Sequence, residues 1–203
     1  MAKRLFDVIV AALALAMLAP LLLAAACWVR WDSDGPAVFR QERVGRHGKI
    51  FRIHKLRTMR LGAASLGPTV TTLADARVTR AGRWLRHYRI DELPQLIDVI
   101  AGHMSLVGPR PEVPRFVALY PAALRAQVLS VRPGITDPAS LEFVDEAAAL
   151  TSEVDAERHY VEHILPRKLR LQAEYAQSAS LVSDLAVLAR TVRVVLARQR
   201  VAP

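Results

Sequence analysis

Asp91 and Glu92 stand side by side before LPQLIDVI, where Leu93, Leu96, Ile97 and Ile100 recur on one helical face and Gly102 supplies a terminator. The two acids therefore belong at a helix start. Unpaired amides and the positive end of the helix dipole stabilise anionic side chains there, and the same position receives phosphate. Simple capping competes with this reading, because Asp followed by Glu before a helix is ordinary sequence. What favours chemistry is the basic sequence around the pair: QERVGRHGKIFRIHKLRTM at residues 41–59, RVTRAGRWLRHYR at 77–89 and MSLVGPRP at 104–111. Arg77, Arg80, Arg83, Arg86 and Arg89 recur at every third position, and at roughly 100 degrees per residue such a series winds around an α-helix. They cannot all face one ligand, and a solvated or headgroup-facing helix accounts for any single one. His159 and His163 share a helical face, but two ligands do not make a structural zinc site and the lone Cys27 adds none.

The elements that position these residues are built from 203 residues, enough for one domain of ordinary size. Lys and Arg number 28 against 19 Asp and Glu, and the formal charge of +9 favours anionic partners: phospholipid surfaces, nucleotides or nucleic acid. The single cysteine excludes an intrachain disulfide framework. After Lys3, Arg4 and Asp7 comes VIVAALALAMLAPLLLAAACWV, residues 8–29, an uncharged run of bilayer-crossing length. A secretory signal ending near LAAAC is the rival reading; Asp7 in the basic region and WVRWDSDGPAVF after Cys27 speak against it. Basic residues flank the run on both sides, Lys3 and Arg4 before it and Arg30, Arg40, Arg43 and Arg46 after it. A simple span would put one basic flank on the disfavoured face. Pro20 lacks an amide proton and bends a helix. The expectation is a re-entrant membrane helix over residues 1–30, broken at Ala19 and Pro20, with both ends on the cytoplasmic face; a kinked span is the alternative.

Residues 31–203 form the remaining domain. DSDGP turns the chain, and Val38, Phe39, Ile50, Phe51 and Ile53 on either side of Gly45 and Gly48 predict a β-hairpin. Residues 61–76 read as a loop, 77–88 as a helix with Val78, Ala81, Leu85 and Tyr88 inward, and 131–143 as an ordered loop stiffened by Pro133 and Pro138. A helix follows at 145–150 and another at 152–177, where Pro166 marks a break or a new first turn. Leu181, Leu185, Leu188, Val192 and Val195 make the tail, within residues 176–203, an amphipathic helix for core packing or a membrane surface. The fold class expected is α+β, mostly helical: a re-entrant N-terminal membrane helix and a compact cytoplasmic catalytic domain containing a small β-hairpin and membrane-surface amphipathic helices.

Together these motifs resemble the bacterial sugar transferases of the monotopic phosphoglycosyl transferase family. The resemblance covers most of the chain: the basic start and Pro-broken apolar helix, residues 41–59, residues 77–116, then RPGITDPASLEF and ILPRKLRLQAEY. DELPQL followed closely by MSLVGPRP, downstream of KLRTM, is the specific part. The resemblance implies a transferase on the cytoplasmic face of a bacterial inner membrane that takes a UDP-sugar and a polyprenyl phosphate such as undecaprenyl phosphate, initiating glycoconjugate synthesis. It implies Asp91 as covalent nucleophile and Glu92 as its metal-associated companion, with Mg2+ held by Glu92 and Asp91. Family members commonly carry Ser-Pro where this chain has Ala19-Pro20, which removes a hydroxyl able to satisfy backbone polarity at the bend.

On that reading a carboxylate attacks the sugar-bearing phosphorus, displaces the nucleoside monophosphate and leaves an aspartyl-phosphosugar for the polyprenyl phosphate to attack. Each step joins anions, so a divalent cation with oxygen ligands and a set of arginines must offset charge. Arg57 and Arg110 are expected at the phosphates, with Arg43 and Arg132 as further candidates, against the alternative of ordinary salt bridging. The partners implied are the UDP-sugar, polyprenyl phosphate and an anionic phospholipid membrane, with a homo-oligomer left open. A nucleic-acid-binding protein leaves the broken apolar run and the acid pair unexplained, so no nucleic acid is expected. A membrane scaffold without catalysis leaves the full motif set unexplained.

Overall fold

A computed structural model describes residues 1–63, 75–143, 150 and 155–199. Helix α1 covers Ala2–Asp32, 31 residues and about 46 Å at the α-helical rise. Among the described residues it is the one helix long and apolar enough to cross a membrane, with a mean hydropathy of 2.7 over its most apolar 18 residues. Helical geometry continues through Pro20, whose ring nitrogen cannot donate to the Ala16 carbonyl. Asp7, Ala11, Ala25 and Val29 are buried along one flank, while Leu5, Ile9, Leu13, Met17 and Leu21 are exposed at four-residue spacing along another. An apolar stripe of that length suits lipid better than water.

Both ends of α1 are fastened to the body of the protein. At the start, Lys3 pairs with Asp184 and donates to Val107 O at 3.3 Å, and Ser105 Oγ donates to Asp7 Oδ2 at 2.8 Å. At the finish, Arg57 donates to Ser33 Oγ at 2.6 Å, Ser33 O at 2.8 Å and Pro36 O at 2.7 Å. Asp32 Oδ2 accepts from Ala81 N at 2.9 Å.

Strands β1, Val38–Val44, and β2, Ile50–Leu56, form the expected antiparallel hairpin, with Val38 opposite Leu56 and Val44 opposite Ile50. Helix α2, Arg80–His87, starts at Thr79, whose hydroxyl accepts from Gly82 N at 2.9 Å, and buries Ala81 and Leu85 as their spacing requires. A 3-10 turn over Ile90–Glu92 then leads through Pro94 into α3, Gln95–Ile100. Strand β3 is Ser105–Val107, and the short helices α4, Pro114–Val117, and α5, Ala122–Val128, follow.

The ordered loop expected at 131–143 is instead a strand and a helix. β4, Gly134–Thr136, pairs in parallel with β3, and α6, Pro138–Glu142, opens on a proline, where a missing amide costs nothing. The strand is too short for its alternation to be visible in sequence, and only β3 makes it a strand. Helix α7, Ala156–His159, passes through a π-turn, Tyr160–Ile164, into α8, Leu165–Ser178. The wide turn accommodates Pro166, which cannot donate to the Glu162 carbonyl. Helix α9, Leu181–Gln199, turns Val187 and Leu188 inward and leaves Val182, Leu185, Val192 and Leu196 exposed, so its apolar residues occupy two flanks rather than one. Most of the loop expected at 61–76, the helix expected at 145–150 apart from Leu150, and the chain beyond 199 lie outside the described residues.

Among the described residues three apolar clusters hold these elements together, and two of them meet at the acid pair. Ile90 packs with Ala25, Val29, Leu56, Ala81 and Leu85. Leu96 and Val99 pack with Ala11, Phe51, Ile53, Met104 and Leu106. Asp91 and Glu92 thus bridge two cores, both of which include α1. The third cluster, with Phe116, Tyr120, Val128 and Leu169, joins α4, α5 and α8.

Candidate active site

Arg89 takes a left-handed backbone conformation, φ 58°, which is strained for a residue with a side chain and redirects the chain from α2 into the 3-10 turn. That turn buries both acids, leaving Asp91 6% exposed and Glu92 8%. Neither caps α3 through a side-chain hydrogen bond, so plain capping does not account for them.

Glu92 is saturated. Arg110 donates from Nη1 to Oε2 at 3.0 Å and from Nη2 to Oε1, Lys55 Nζ donates to Oε1 at 2.8 Å, and Arg89 Nη1 stands 3.9 Å from Oε1. Burial opposes ionisation, but Arg110 and Lys55 outweigh it and hold the Glu92 carboxyl well below the ordinary glutamate range. Asp91 is the reverse. Its Oδ1 is buried with no hydrogen-bond partner. Burial, and after it the charge on Glu92, push the Asp91 carboxyl up to about 6, while Lys55, Arg86 and Arg89 pull it down. Two adjacent acids are therefore driven apart, one held as an anion by its cations and one left with a buried carboxylate oxygen that has no partner.

Arg110 owes its position to the crossing of β3 and β4. Gly108 N donates to Thr136 O at 3.0 Å and Gly134 N to Pro109 O at 3.0 Å. A Cβ on Gly108 would lie 2.3 Å from Arg132 O, and one on Gly134 would lie 2.1 Å from Gly108 N, so only glycines allow the backbones to cross. Beyond the crossing, Asp137 Oδ2 accepts from Arg110 N at 3.1 Å and from Gln172 Nε2 at 2.8 Å. Arg43 stands behind Arg110, donating to Pro111 O at 2.9 Å and Gln41 Oε1 at 2.7 Å with Glu112 at 3.6 Å; burial lowers its pKa.

The structure thus brings Asp91, Glu92 and Arg110 together, with Arg43 adjacent. Arg57 is elsewhere, its guanidinium spent on the finish of α1. Arg132 is also elsewhere, Nε donating to Gly102 O at 3.0 Å past the end of α3. Ala19 and Pro20 lie within α1. Lys55 joins the site unexpected from sequence, although Phe51, Ile53 and Lys55 alternate along β2 and a lysine following two apolar residues on one face is a legible signal. Arg86, which donates to Thr58 Oγ1 at 2.8 Å and interacts electrostatically with Asp91, and Gln95 are likewise unexpected from sequence. Gln95 is 1% exposed, and neither its amide nitrogen nor its amide oxygen has a partner. Leu93 and Pro94 keep right-handed helical geometry, so Gln95 comes round to the side of Asp91.

Among the described residues no three His, Cys, Asp or Glu side chains gather into a metal cage. The pair offers the orphaned Asp91 Oδ1 and a Glu92 carboxylate already met by cations. A Mg2+ ion fits this donor set as one shared with phosphate oxygens and water, the usual situation of that ion. Buried cations around an unpaired carboxylate suit nucleophilic displacement at an anionic phosphorus.

Residues 1–198 match the family described as bacterial sugar transferase. A UDP-glucose:undecaprenyl-phosphate glucose-1-phosphate transferase of Caulobacter vibrioides is 41% identical over 194 residues, covering 94% of this chain and 68% of that protein. A UDP-N-acetylgalactosamine-undecaprenyl-phosphate N-acetylgalactosaminephosphotransferase of Aeromonas hydrophila is 35% identical over 196 residues, covering 96% of this chain and 43% of that protein. An undecaprenyl-phosphate glucose phosphotransferase of Komagataeibacter xylinus is 37% identical over 197 residues, with 94% and 35% covered. The chain therefore spans about two thirds of the first relative's length and less than half of the other two. With the match running nearly end to end through the acid pair and the arginine that grips it, the chain belongs to the bacterial sugar transferase family.

Proposed function

We propose that this chain transfers a sugar 1-phosphate from a UDP-sugar to a polyprenyl phosphate, undecaprenyl phosphate in bacteria, giving a polyprenyl-diphosphate-sugar and UMP and so initiating glycoconjugate synthesis. The observation that carries the reading is the buried, unpartnered Oδ1 of Asp91 beside a Glu92 both of whose oxygens accept from Arg110. An Asp91 oxygen attacks the sugar-bearing phosphorus; the bond from that phosphorus to the UMP oxygen breaks and UMP leaves as an anion. An oxygen of the polyprenyl phosphate then attacks the same phosphorus, and the Asp91 carboxylate is released. Neither step needs a net proton transfer. Lys55, Arg86 and Arg110 offset the negative charge that gathers around the phosphorus, and burial strengthens each of them. Asp91 and Glu92 would hold a Mg2+ ion, which when bound neutralises phosphate oxygens.

On this reading α1 enters and leaves on the cytoplasmic face of the inner membrane. Support comes from its two fastened ends: Lys3 and Asp7 on one side, Asp32 and Ser33 on the other, all engage the same body that carries the acids. The exposed stripes of α1 and α9, together with Trp84 of α2, face the anionic lipid.

The test is a brief reaction of the protein with UDP-glucose or UDP-N-acetylgalactosamine and Mg2+ without acceptor, read by intact-protein mass spectrometry. A hexose-phosphate adduct on Asp91, discharged by undecaprenyl phosphate, is expected. An adduct on Glu92 would reverse the roles, and turnover at the wild-type rate by Asp91→Asn would remove Asp91 as nucleophile.

A further inference from the structure

The end of α3 is closed by two arginines from distant parts of the chain. Arg4 Nη1 donates to Val99 O at 2.7 Å and Arg4 Nη2 to Ile100 O at 3.1 Å. Arg132 Nε donates to Gly102 O at 3.0 Å. A helix of 6 residues leaves most of its terminal carbonyls without an intrahelical partner, so outside donors decide how firmly it is held. Backbone amides reach part of this end: Ala101 N bonds Ile97 O at 2.9 Å and Gly102 N bonds Val99 O at 3.0 Å. Ile100 O takes its bond from Arg4. A cation here also meets the negative end of the helix dipole. Gly102 takes a left-handed conformation, φ 87°, which glycine adopts without steric cost where a helix ends.

Arg4 is itself held in place. Lys3 is tied to Asp184 and Asp7 to Ser105, so the first turns of α1 are docked on the body. Asp184 is anchored in turn by the Tyr175 hydroxyl, which donates to its Oδ1 at 2.5 Å. Ala11 of α1 packs in one cluster with Leu96 and Val99 of α3. The helix so clamped begins at Gln95, directly after the turn that carries Asp91 and Glu92.

We infer that Arg4 is a positioning residue for Asp91: by closing the end of α3 it fixes the helix that follows the turn carrying the acid pair, and it couples the seating of the membrane helix to the reactive carboxylate. This rests on the reading of Asp91 as nucleophile. A basic residue beside an apolar run ordinarily faces headgroups or sets topology. This guanidinium is instead spent on two carbonyls of α3, a forked contact that a lysine ammonium reproduces poorly.

The test uses the full chain in nanodiscs and the exchange of labelled UMP into UDP-glucose or UDP-N-acetylgalactosamine, which needs the first displacement and no polyprenyl phosphate. Hydrogen exchange of the peptide over residues 90–104 is measured in parallel. Arg4→Ala should lower the exchange kcat roughly 10- to 100-fold with KM nearly unchanged, as expected for a displaced reactive group. The same variant should speed amide exchange in α3, and Arg4→Lys should fall between it and wild type. Arg30→Ala, which removes an equal charge at the other end of α1, should leave both readouts at wild-type levels. Wild-type UMP exchange in Arg4→Ala, with loss only when polyprenyl phosphate is the acceptor, would assign Arg4 to the acceptor and overturn the inference. A slowed reaction with α3 protected as in wild type would overturn it too. Absence of UMP exchange in the wild-type protein would count against the covalent route instead, leaving α3 protection to decide the coupling. Should Arg4→Ala fail to fold, Arg4→Lys carries the same two readouts.

Discussion

Arg110 holds Glu92 through both carboxylate oxygens, while the neighbouring Asp91 keeps an oxygen with no partner. Glu92 collects the cations around the site, and Asp91 is left with the free lone pairs that a nucleophile needs. Removing one member of such a buried pair strands the other. Arg110→Ala should destabilise the fold by about 3 kcal/mol in chemical denaturation and abolish turnover. Arg110→Lys should recover most of the stability, because charge returns, but turnover at least tenfold below wild type is expected, because the forked contact does not (roughly 1.4 kcal/mol). Equal turnover in Arg110→Lys and wild type would show that charge alone suffices.

The raised pKa of Asp91 has consequences of opposite sign for activity and stability. Turnover should rise with pH through about 6 and level off above it, as the carboxylate ionises. For a carboxyl whose folded pKa exceeds its ordinary value of 3.8, ionisation is a penalty on the fold, absent below that value and complete above about 6. Asp91→Asn should accordingly be inactive yet more stable than wild type at pH 7, by on the order of 2 kcal/mol. The gain should vanish near the ordinary aspartate range, a pattern that melting curves against pH would reveal or refute.

Gln95 buries a whole carboxamide without a hydrogen bond. An apolar side chain of similar size avoids that loss, so Gln95→Leu should raise the melting temperature, corresponding to about 1 kcal/mol. A buried polar group kept at such a cost four residues from Asp91 is expected to serve the reaction, so turnover should fall while stability rises. A variant that is both less stable and fully active would contradict both halves.

The two fastened ends of α1 make its topology testable with single cysteines. In a Cys27→Ser background, Ala2→Cys and Asp34→Cys should both label from the cytoplasmic side of sealed vesicles. Labelling of the two from opposite sides would overturn the re-entrant reading and leave the chemistry of Asp91 untouched.

Several features were legible in the residues alone, because they depend on local periodicity or on fixed backbone geometry. The apolar length of α1, the hairpin around Gly45 and Gly48, the inward Ala81 and Leu85 of α2 and the placing of Asp91 and Glu92 just ahead of a helix all follow from spacing within a few positions. The motif resemblance added the family and directed attention to Arg110. β4 was not legible, since three residues carry no usable alternation and its hydrogen bonds come from β3.

Which cation meets which anion was decided only by the tertiary structure. Lys55 and Arg57 lie two positions apart in one basic segment, yet Lys55 reaches Glu92 across 37 residues and Arg57 turns to Ser33 and Pro36 at the finish of α1. Strand alternation sets the face on which a side chain projects, but the partner on that face is whatever packing brings there. The same holds for Arg4 and Arg132, which by composition are two more positive charges and by packing are side-chain donors at the end of α3. The unequal fates of Asp91 and Glu92 belong to this class as well: in sequence they are adjacent acids, and only burial, with three cations converging on one of them, separates a locked carboxylate from a reactive one.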